Sequence, residues 1–124
     1  MRLYIDTNIY LDFLLERRKS DHAYKIFKRT LKCKYHIILS DQILIELNRN
    51  MALSKTEMLF SLLKSKLIHV HANETDKNDA KLLNTHYADA LHIILATKAK
   101  ADAIVTSNIK DFSSFFKTHR PEDL

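Results

Sequence analysis

The chain has 124 residues, of which 46% are hydrophobic and 28% are charged, and its formal net charge is +5. This length and composition fit one compact globular domain, and the basic charge favours a polyanionic partner such as nucleic acid. The complete absence of glycine excludes a dinucleotide-binding fingerprint, a Walker A loop and a nucleophile elbow, because each needs glycine where the backbone turns sharply or approaches a ligand.

Cys33 is the only cysteine, so no internal disulfide can form, and we expect a cytoplasmic protein. No apolar run approaches the roughly 18 residues that a membrane span needs. Asp6 and Asp12 interrupt the apolar region that a signal peptide would require. We therefore expect no membrane partner.

Predicted strands and helices alternate along the chain. Strands are predicted at 2–6, 35–40, 67–72 and 102–107, and helices at 8–16, 20–33, 41–51, 75–84 and 87–100, with a short helix or irregular segment at 109–116. Ser40 or Asp41 is the predicted cap of the helix at 41–51, and Ser54 with Glu57 has the spacing of a capping box that opens a further helix. The alternation predicts an α/β fold: a mainly parallel central sheet of about four to five strands, with helices on both faces, in a single domain over 1–124 with a short tail at about 117–124.

Three carboxylates are isolated within apolar segments. Asp6 ends the first strand and is the only charged residue in 3–11, Glu46 is the only one in 42–48, within a helix that is apolar nearly all round, and Asp89 is the only Asp, Glu, Lys or Arg in 82–97. Burying an unpaired carboxylate is costly, and a divalent cation would cancel the repulsion between several of them. Hard oxygen ligands suit Mg²⁺ or Mn²⁺, so the pattern favours a shared metal site at the carboxyl edge of the sheet.

Each of these residues also has a purely structural interpretation. Asp6 could cap the helix that follows it, Asp89 could interact favourably with its helix dipole, and Glu46 could pair with Arg49. After the last predicted strand, Asn108 is either a further metal ligand or a turn residue, and Asp111 either helps to position a substrate or caps a short helix.

Three segments, "YIDTNIYLD", "SDQILIELNR" and "HYADALHIILATKAKADAIVTSNIKDF", resemble in order and spacing the PIN-domain family, and within it the VapC-like ribonuclease toxins; the resemblance covers about 2–116. It implies a PIN-like fold in which Asp6, Glu46 and Asp89 bind Mg²⁺ or Mn²⁺. Asn108 falls where the family carries a fourth acid or an Asn. Substrate-positioning roles are implied for Thr7, Asn8 and Thr106, with Asp111 beside them.

The resemblance further implies metal-dependent hydrolysis of RNA phosphodiester bonds, neutralisation by a cognate antitoxin, and a homodimer. Two alternatives stay open. One is a catalytically weak module that binds RNA or protein, since Asn108 replaces an acid, and the other is a metal-dependent nuclease that acts on DNA. A final edge strand is expected to be absent or rudimentary.

Several other side chains have two interpretations. One face of the helix at 20–33 is basic and carries Lys25, Lys28, Arg29 and Lys32. It is either a track for RNA phosphates or, as we favour, a solvated face opposite Tyr24, Phe27 and Leu31. His69 and His71 could bind a metal but are expected to be exposed strand residues. His86 could touch substrate, and His92 is expected to face the core or a neighbouring helix. The Leu-rich helices at 41–67 are ordinary core or a surface that packs on a second subunit.

Overall fold

A parallel β-sheet forms the centre of the molecule, which a computed structural model describes over all residues, 1–124. Its strands are β1 (Arg2–Ile5), β2 (His36–Ser40), β3 (Leu67–Val70), β4 (Ala103–Val105) and β5 (Thr118–His119). They are ordered β3-β2-β1-β4-β5, and every neighbouring pair is parallel. The predicted α/β class, with a mainly parallel sheet of about four to five strands, is therefore confirmed.

Seven helices connect and flank the strands: α1 (Thr7–Leu14), α2 (Ser20–Leu31), α3 (Asp41–Asn50), α4 (Leu53–Leu63), α5 (Glu74–Leu82), α6 (Tyr87–Lys98) and α7 (Ile109–Phe112). The chain passes from β1 outward to β2 and β3, then returns across the sheet to β4. Because parallel crossovers are right-handed, α1–α4 cover one face and α5 and α6 cover the other. In agreement, α1 contacts α2 and α3, α4 contacts both of these helices, and α5 packs on α6.

The hydrophobic core lies on both faces of the three central strands. The apolar residues of β1, β2 and β4 are at most 2% exposed, and with the inner faces of the helices they form one contiguous buried cluster. A strand covered by helices on both sides needs apolar side chains at successive positions, which is what "LYI", "IIL" and "AIV" provide. Polar residues follow immediately where these strands end, at one edge of the sheet.

Side-chain caps define two of the helix starts. Ser40 caps α3, as predicted, by accepting a hydrogen bond from the Ile43 amide at 3.1 Å. The capping box lies at Asn73 and Asp76, where each side chain accepts a hydrogen bond from the other residue's amide at the start of α5.

The predicted capping box at Ser54 and Glu57 is wrong. Helix α4 starts at Leu53, and the residue in the N-cap position is Ala52, whose backbone is extended and whose side chain cannot cap. Ser54 therefore lies inside the first turn of α4, after the N-cap position from which its hydroxyl could accept a hydrogen bond from a backbone amide. Thr56 Oγ1 instead donates to the Leu53 carbonyl at 2.9 Å.

One further difference from the sequence prediction concerns α3, which is not apolar nearly all round, since Ile43 and Leu47 are buried but Ile45 is 45% exposed. As predicted, the segment at 109–116 holds only a short helix, the four-residue α7. The final edge strand is rudimentary, as also predicted: it is the two-residue strand β5 beside β4. None of the helices combines the length and the apolar character that crossing a membrane requires.

Candidate active site

A polar cavity of about 430 Å³ opens at the carboxyl edge of the sheet. The connection after β1 leads to β2 on one side, and the connection after the neighbouring β4 leads to β5 on the other. Parallel sheets open a crevice for ligands where two such connections diverge. Most of the cavity lining is polar or charged: Asp6, Thr7, Asn8, Arg17, Gln42, Glu46, Arg49, Asn50, Asp89, His92 and Asn108. The three isolated carboxylates and Asn108, far apart in sequence, thus face the same cavity.

Asp6 follows β1 directly and extends its ladder, since its amide donates to the Val105 carbonyl at 2.9 Å. Its carboxylate is buried and accepts a hydrogen bond from Thr106 Oγ1 at 2.9 Å, and Thr106 Oγ1 in turn accepts the Asn108 amide at 3.0 Å. Burial raises the pKa of Asp6, and the hydrogen bond from Thr106 opposes that rise without cancelling it. Asp6 occupies the N-cap position of α1 but its side chain makes no capping bond, so helix capping does not explain it.

Glu46 projects from α3 and accepts hydrogen bonds from three side chains. Thr7 Oγ1 donates at 2.6 Å and Gln42 Nε2 at 2.9 Å, and His92 Nε2 lies 2.9 Å from Oε2 and 3.2 Å from Oε1. Burial alone would raise the pKa of Glu46, but the hydrogen bonds from His92, Thr7 and Gln42 lower it to about 2. Glu46 pairs with His92 and not with Arg49, so the predicted structural alternative does not describe it.

Asp89 lies in the first turn of α6, half-buried at the cavity wall. Burial raises its pKa, and the negative charges of Asp111 and Asp6 raise it further. Asp111 does not line the cavity, but its charge reaches Asp89 from α7. Asn108 lies at the start of α7, and its backbone N–H donates a hydrogen bond to Thr106 Oγ1. Its side chain makes no capping hydrogen bond.

The donor set suits a hard divalent cation, although the side chains as placed do not enclose one. No group of three or more His, Cys, Asp or Glu side chains is close enough to hold a metal ion. Asp6 and Asp89 nevertheless line the same cavity, and the pKa of Asp89 is raised by burial first and then by the negative charges of Asp111 and Asp6. A cation bound by carboxylate and amide oxygens would relieve that repulsion.

His92 is the site residue whose role the sequence did not reveal. It is buried, as expected for a residue facing the core, but it also lines the cavity and bonds Glu46. The available signal was its position three residues after Asp89, which places both on one side of α6. His86, in contrast, is exposed and does not line the cavity.

Two arginines add positive charge to the rim of this acidic cavity. Arg17 and Arg49 are exposed and line it, and Arg17 has only a long ion pair of 3.9 Å with Asp12. The lysines of α2 lie elsewhere, exposed and outside the cavity, as the solvated-face interpretation predicts. A guanidinium at the rim is suited to bind phosphate oxygens.

Sequence and structure comparisons agree with this architecture. A family model described as "PIN domain" matches residues 2–110. The chain belongs to the PIN domain family. No significant match to a curated protein was found. The predicted family membership is thus confirmed.

Solved PIN-type structures share the fold over nearly their whole length. VapBC2 of Rickettsia felis, bound to a DNA fragment from its promoter, is 19% identical with a TM-score of 0.68, covering 97% of this chain and 98% of that one. VapC20 of Mycobacterium tuberculosis, described as a toxin that cleaves the sarcin–ricin loop, is 14% identical with a TM-score of 0.67, covering 96% and 99%. FitAcB of Neisseria gonorrhoeae is 13% identical with a TM-score of 0.64, covering 98% and 99%. At these identities the likeness concerns the fold.

Proposed function

We propose that this PIN domain is a Mg²⁺- or Mn²⁺-dependent endoribonuclease and the toxin of a type II toxin–antitoxin pair. The observation that carries the proposal is the common cavity at the carboxyl edge of the sheet, onto which Asp6, Glu46, Asp89 and Asn108 all face. The fold shared with VapC20, described as cleaving RNA of the sarcin–ricin loop, supports RNA as the substrate.

Each site residue has a task in this proposal. Asp6, Asp89 and Asn108 would hold the metal ion together with Glu46, and Thr106 orients Asp6 by donating to its carboxylate at 2.9 Å. When bound, the ion supplies charge neutralisation at a phosphate and a bound water of lowered pKa. No cysteine or serine lines the cavity, which agrees with direct hydrolysis by water and not with attack by such a side chain.

The arginines and the first loop complete the substrate site. Arg17 and Arg49 bind the phosphates that flank the scissile bond, because they are the cations on the cavity rim. Thr7 fixes one oxygen of Glu46 at 2.6 Å, and Asn8 lies beside it on the cavity wall. These contacts keep the anionic substrate beside the carboxylates in spite of their negative charge.

Cleavage of a single-stranded RNA with Mn²⁺, with and without a chelator, tests the activity. We expect Asp6→Asn and Asp89→Asn to cut the rate by about 100-fold or more, because each removes one anionic ligand. Asp79→Asn is the matched control, since Asp79 is exposed on α5 and lies outside the cavity. A nuclease unaffected by either active-site substitution would show that the site is elsewhere.

The second candidate is a catalytically weak module that binds RNA or protein. It is favoured by Asn108 in place of an acid and by the lack of a closed metal-ligand cluster. Calorimetry with Mn²⁺ separates the two, since a pure binder shows no metal uptake that depends on Asp6 or Asp89. Including DNA among the substrates distinguishes a ribonuclease from a nuclease that acts on DNA.

A protein partner has a suitable surface away from the cavity. A groove of about 430 Å³ formed with α1, α2 and α4 is lined by the half-buried Phe13 and Leu14 and by the exposed Met58 and Leu62. Met58 and Leu62 are 68% and 64% exposed, more apolar surface than one helix usually leaves uncovered. We propose that the antitoxin covers this groove; a homodimer contact on the same helices is the alternative.

Growth arrest on expression, rescued by a small open reading frame beside this gene, tests the toxin role. We expect Leu62→Glu to keep nuclease activity but to escape that rescue, because a buried carboxylate disfavours the apolar contact. Leu82→Glu is the control, since Leu82 is 84% exposed on α5 and outside the groove. Equal rescue of both variants would place the antitoxin on another surface.

A further inference from the structure

A line of hydrogen bonds runs from the core to the candidate active site. Ser40 Oγ lies 2.7 Å from the Tyr4 hydroxyl, the Tyr4 hydroxyl lies 2.6 Å from His92 Nδ1, and His92 Nε2 lies 2.9 Å from Glu46 Oε2. Ser40, Tyr4 and His92 are at most 2% exposed. The line therefore joins β2, β1, α6 and α3 and ends on a carboxylate that faces the cavity.

One assignment of protons satisfies every member of this line. Ser40 Oγ already accepts the Ile43 amide at 3.1 Å, so its own proton is available to the Tyr4 oxygen. A tyrosine hydroxyl is neutral near pH 7, so Tyr4, having accepted from Ser40, has its own proton free to donate to His92 Nδ1 at 2.6 Å. An imidazole that accepts at Nδ1 carries its proton on Nε2, where it points at Glu46.

We propose that His92 is a positioning residue: anchored from the core by Tyr4 and Ser40, it holds the Glu46 carboxylate in the plane and direction in which it faces the cavity. The inference rests on the proposed function, because it assigns His92 a task at the same site. An imidazole ring held at Nδ1 fixes the carboxylate at Nε2 more firmly than an unanchored ring would. Hydrogen-bonding partners orient metal ligands in the same way in other proteins.

The other contacts of Glu46 leave His92 a distinct task. Thr7 approaches Oε1 and Gln42 approaches Oε2, each with a single hydrogen bond, whereas His92 Nε2 lies within 3.2 Å of both oxygens. A donor that lies between the two oxygens restricts rotation of the carboxylate group. A hydrogen bond to one oxygen alone does not restrict it in the same way. The three donors use most of the roughly four lone-pair positions of the carboxylate and leave room for one further contact from the cavity.

Two tyrosines allow a matched test of the anchor. Tyr4 and Tyr10 are both fully buried, but the Tyr10 hydroxyl has no hydrogen-bond partner. Tyr4→Phe therefore removes the bond to His92, and Tyr10→Phe removes a hydroxyl of the same kind without touching the line. His92→Leu removes the donor to Glu46 at similar volume, and His92→Gln restores an amide donor.

The first readout is the protonation of the His92 ring, measured by ¹⁵N NMR on the metal-free protein. We expect a proton on Nε2 in the parent, in Tyr10→Phe and in Tyr4→Phe, because the Glu46 carboxylate accepts it in all three. The ¹⁵N resonance of the unprotonated Nδ1 should shift in Tyr4→Phe alone, because only there has that nitrogen lost its hydrogen-bond donor. A parent ring without a proton on Nε2 would overturn the proposal. This readout requires neither metal nor activity, so it stands apart from the proposed function.

The second readout is Mn²⁺ affinity by calorimetry, with thermal melting of each variant to show that it folds. We expect His92→Leu to bind Mn²⁺ about 10- to 100-fold more weakly, as loss of a supporting partner does elsewhere, and His92→Gln to recover most of that loss. If Tyr4→Phe matches Tyr10→Phe in both readouts, the anchor is wrong. If instead the parent takes up no Mn²⁺, the metal site of the proposed function fails while the ring proton still decides the hydrogen bond.

Discussion

Asp6 is a candidate site residue whose burial costs stability. Its carboxylate is buried, its one side-chain partner is the Thr106 hydroxyl at 2.9 Å, and burial raises its pKa. A neutral amide would retain an oxygen to accept from Thr106 and would carry no desolvation penalty. Residues of this kind persist at functional sites although they destabilise the fold.

We predict that Asp6→Asn stabilises the chelator-treated protein at pH 7, raising its melting temperature by about 3 °C. Below pH 3.8, the ordinary pKa of this carboxyl, the side chain is protonated in the folded and the unfolded chain, so the substitution changes little. As the pH rises through the raised folded-state pKa, the parent must ionise a buried group and loses stability that the variant keeps.

Thermal melts between pH 3 and pH 8 measure this difference, with Asp79→Asn as the exposed control. Added Mn²⁺ should stabilise the parent and leave Asp6→Asn unchanged, because a ligand stabilises only the state that binds it. An Asp6→Asn protein that melts below the parent at pH 7 would show that the carboxylate supports the fold.

The isolated carboxylates could be found from the sequence because a lone charge in an apolar segment is costly wherever the segment packs. Asp6, Glu46 and Asp89 were predicted on this ground to share a site, and all three face one cavity. The contacts of His92 could not be predicted, because they depend on how α6 lies against β1 and α3. Tyr4 gave no signal either, since a tyrosine in a core strand is ordinary until the partner of its hydroxyl is known.

At the level of helices and strands, periodicity and crossover rules predicted more than local motifs did. The short apolar runs and their alternation with helices were enough to predict a parallel sheet, because strands buried on both faces read as apolar runs. The capping box at Ser54 was wrong, since a four-residue motif is common and the chain had already entered α4 at Leu53. The two-residue strand β5 exists only because β4 offers a free edge.

We predict that Asn73→Ala destabilises the protein by about 1 kcal/mol, because it removes the side chain that caps α5. Ser54→Ala should stay within about 0.5 kcal/mol of the parent, because the Ser54 side chain caps nothing. Urea unfolding measures both. Equal losses from the two substitutions would mean that α4 begins at Ser54 in solution, contrary to the structure.

At the scale of the whole molecule, the positive charge is unevenly placed with respect to the cavity. The net charge is +5, but many of the basic residues, including those of α2, lie outside the cavity. Only Arg17 and Arg49 line it. Long-range attraction of a nucleic acid depends on the total charge of a protein. Direct phosphate contacts depend on where the basic side chains lie, and only these contacts release counterions from the nucleic acid.

We therefore predict that Arg17→Ala with Arg49→Ala lowers the slope of log affinity against log salt by about 1.4, or about 0.7 for each lost phosphate contact on single-stranded RNA. Fluorescence anisotropy with a short RNA in chelator measures binding without cleavage. Lys34→Ala with Lys64→Ala removes the same charge from exposed positions preceding β2 and β3, at the opposite edge of the sheet, and should leave the slope unchanged. If both pairs lower it equally, RNA binding follows total charge, and the two arginines have no special place in the proposed substrate site.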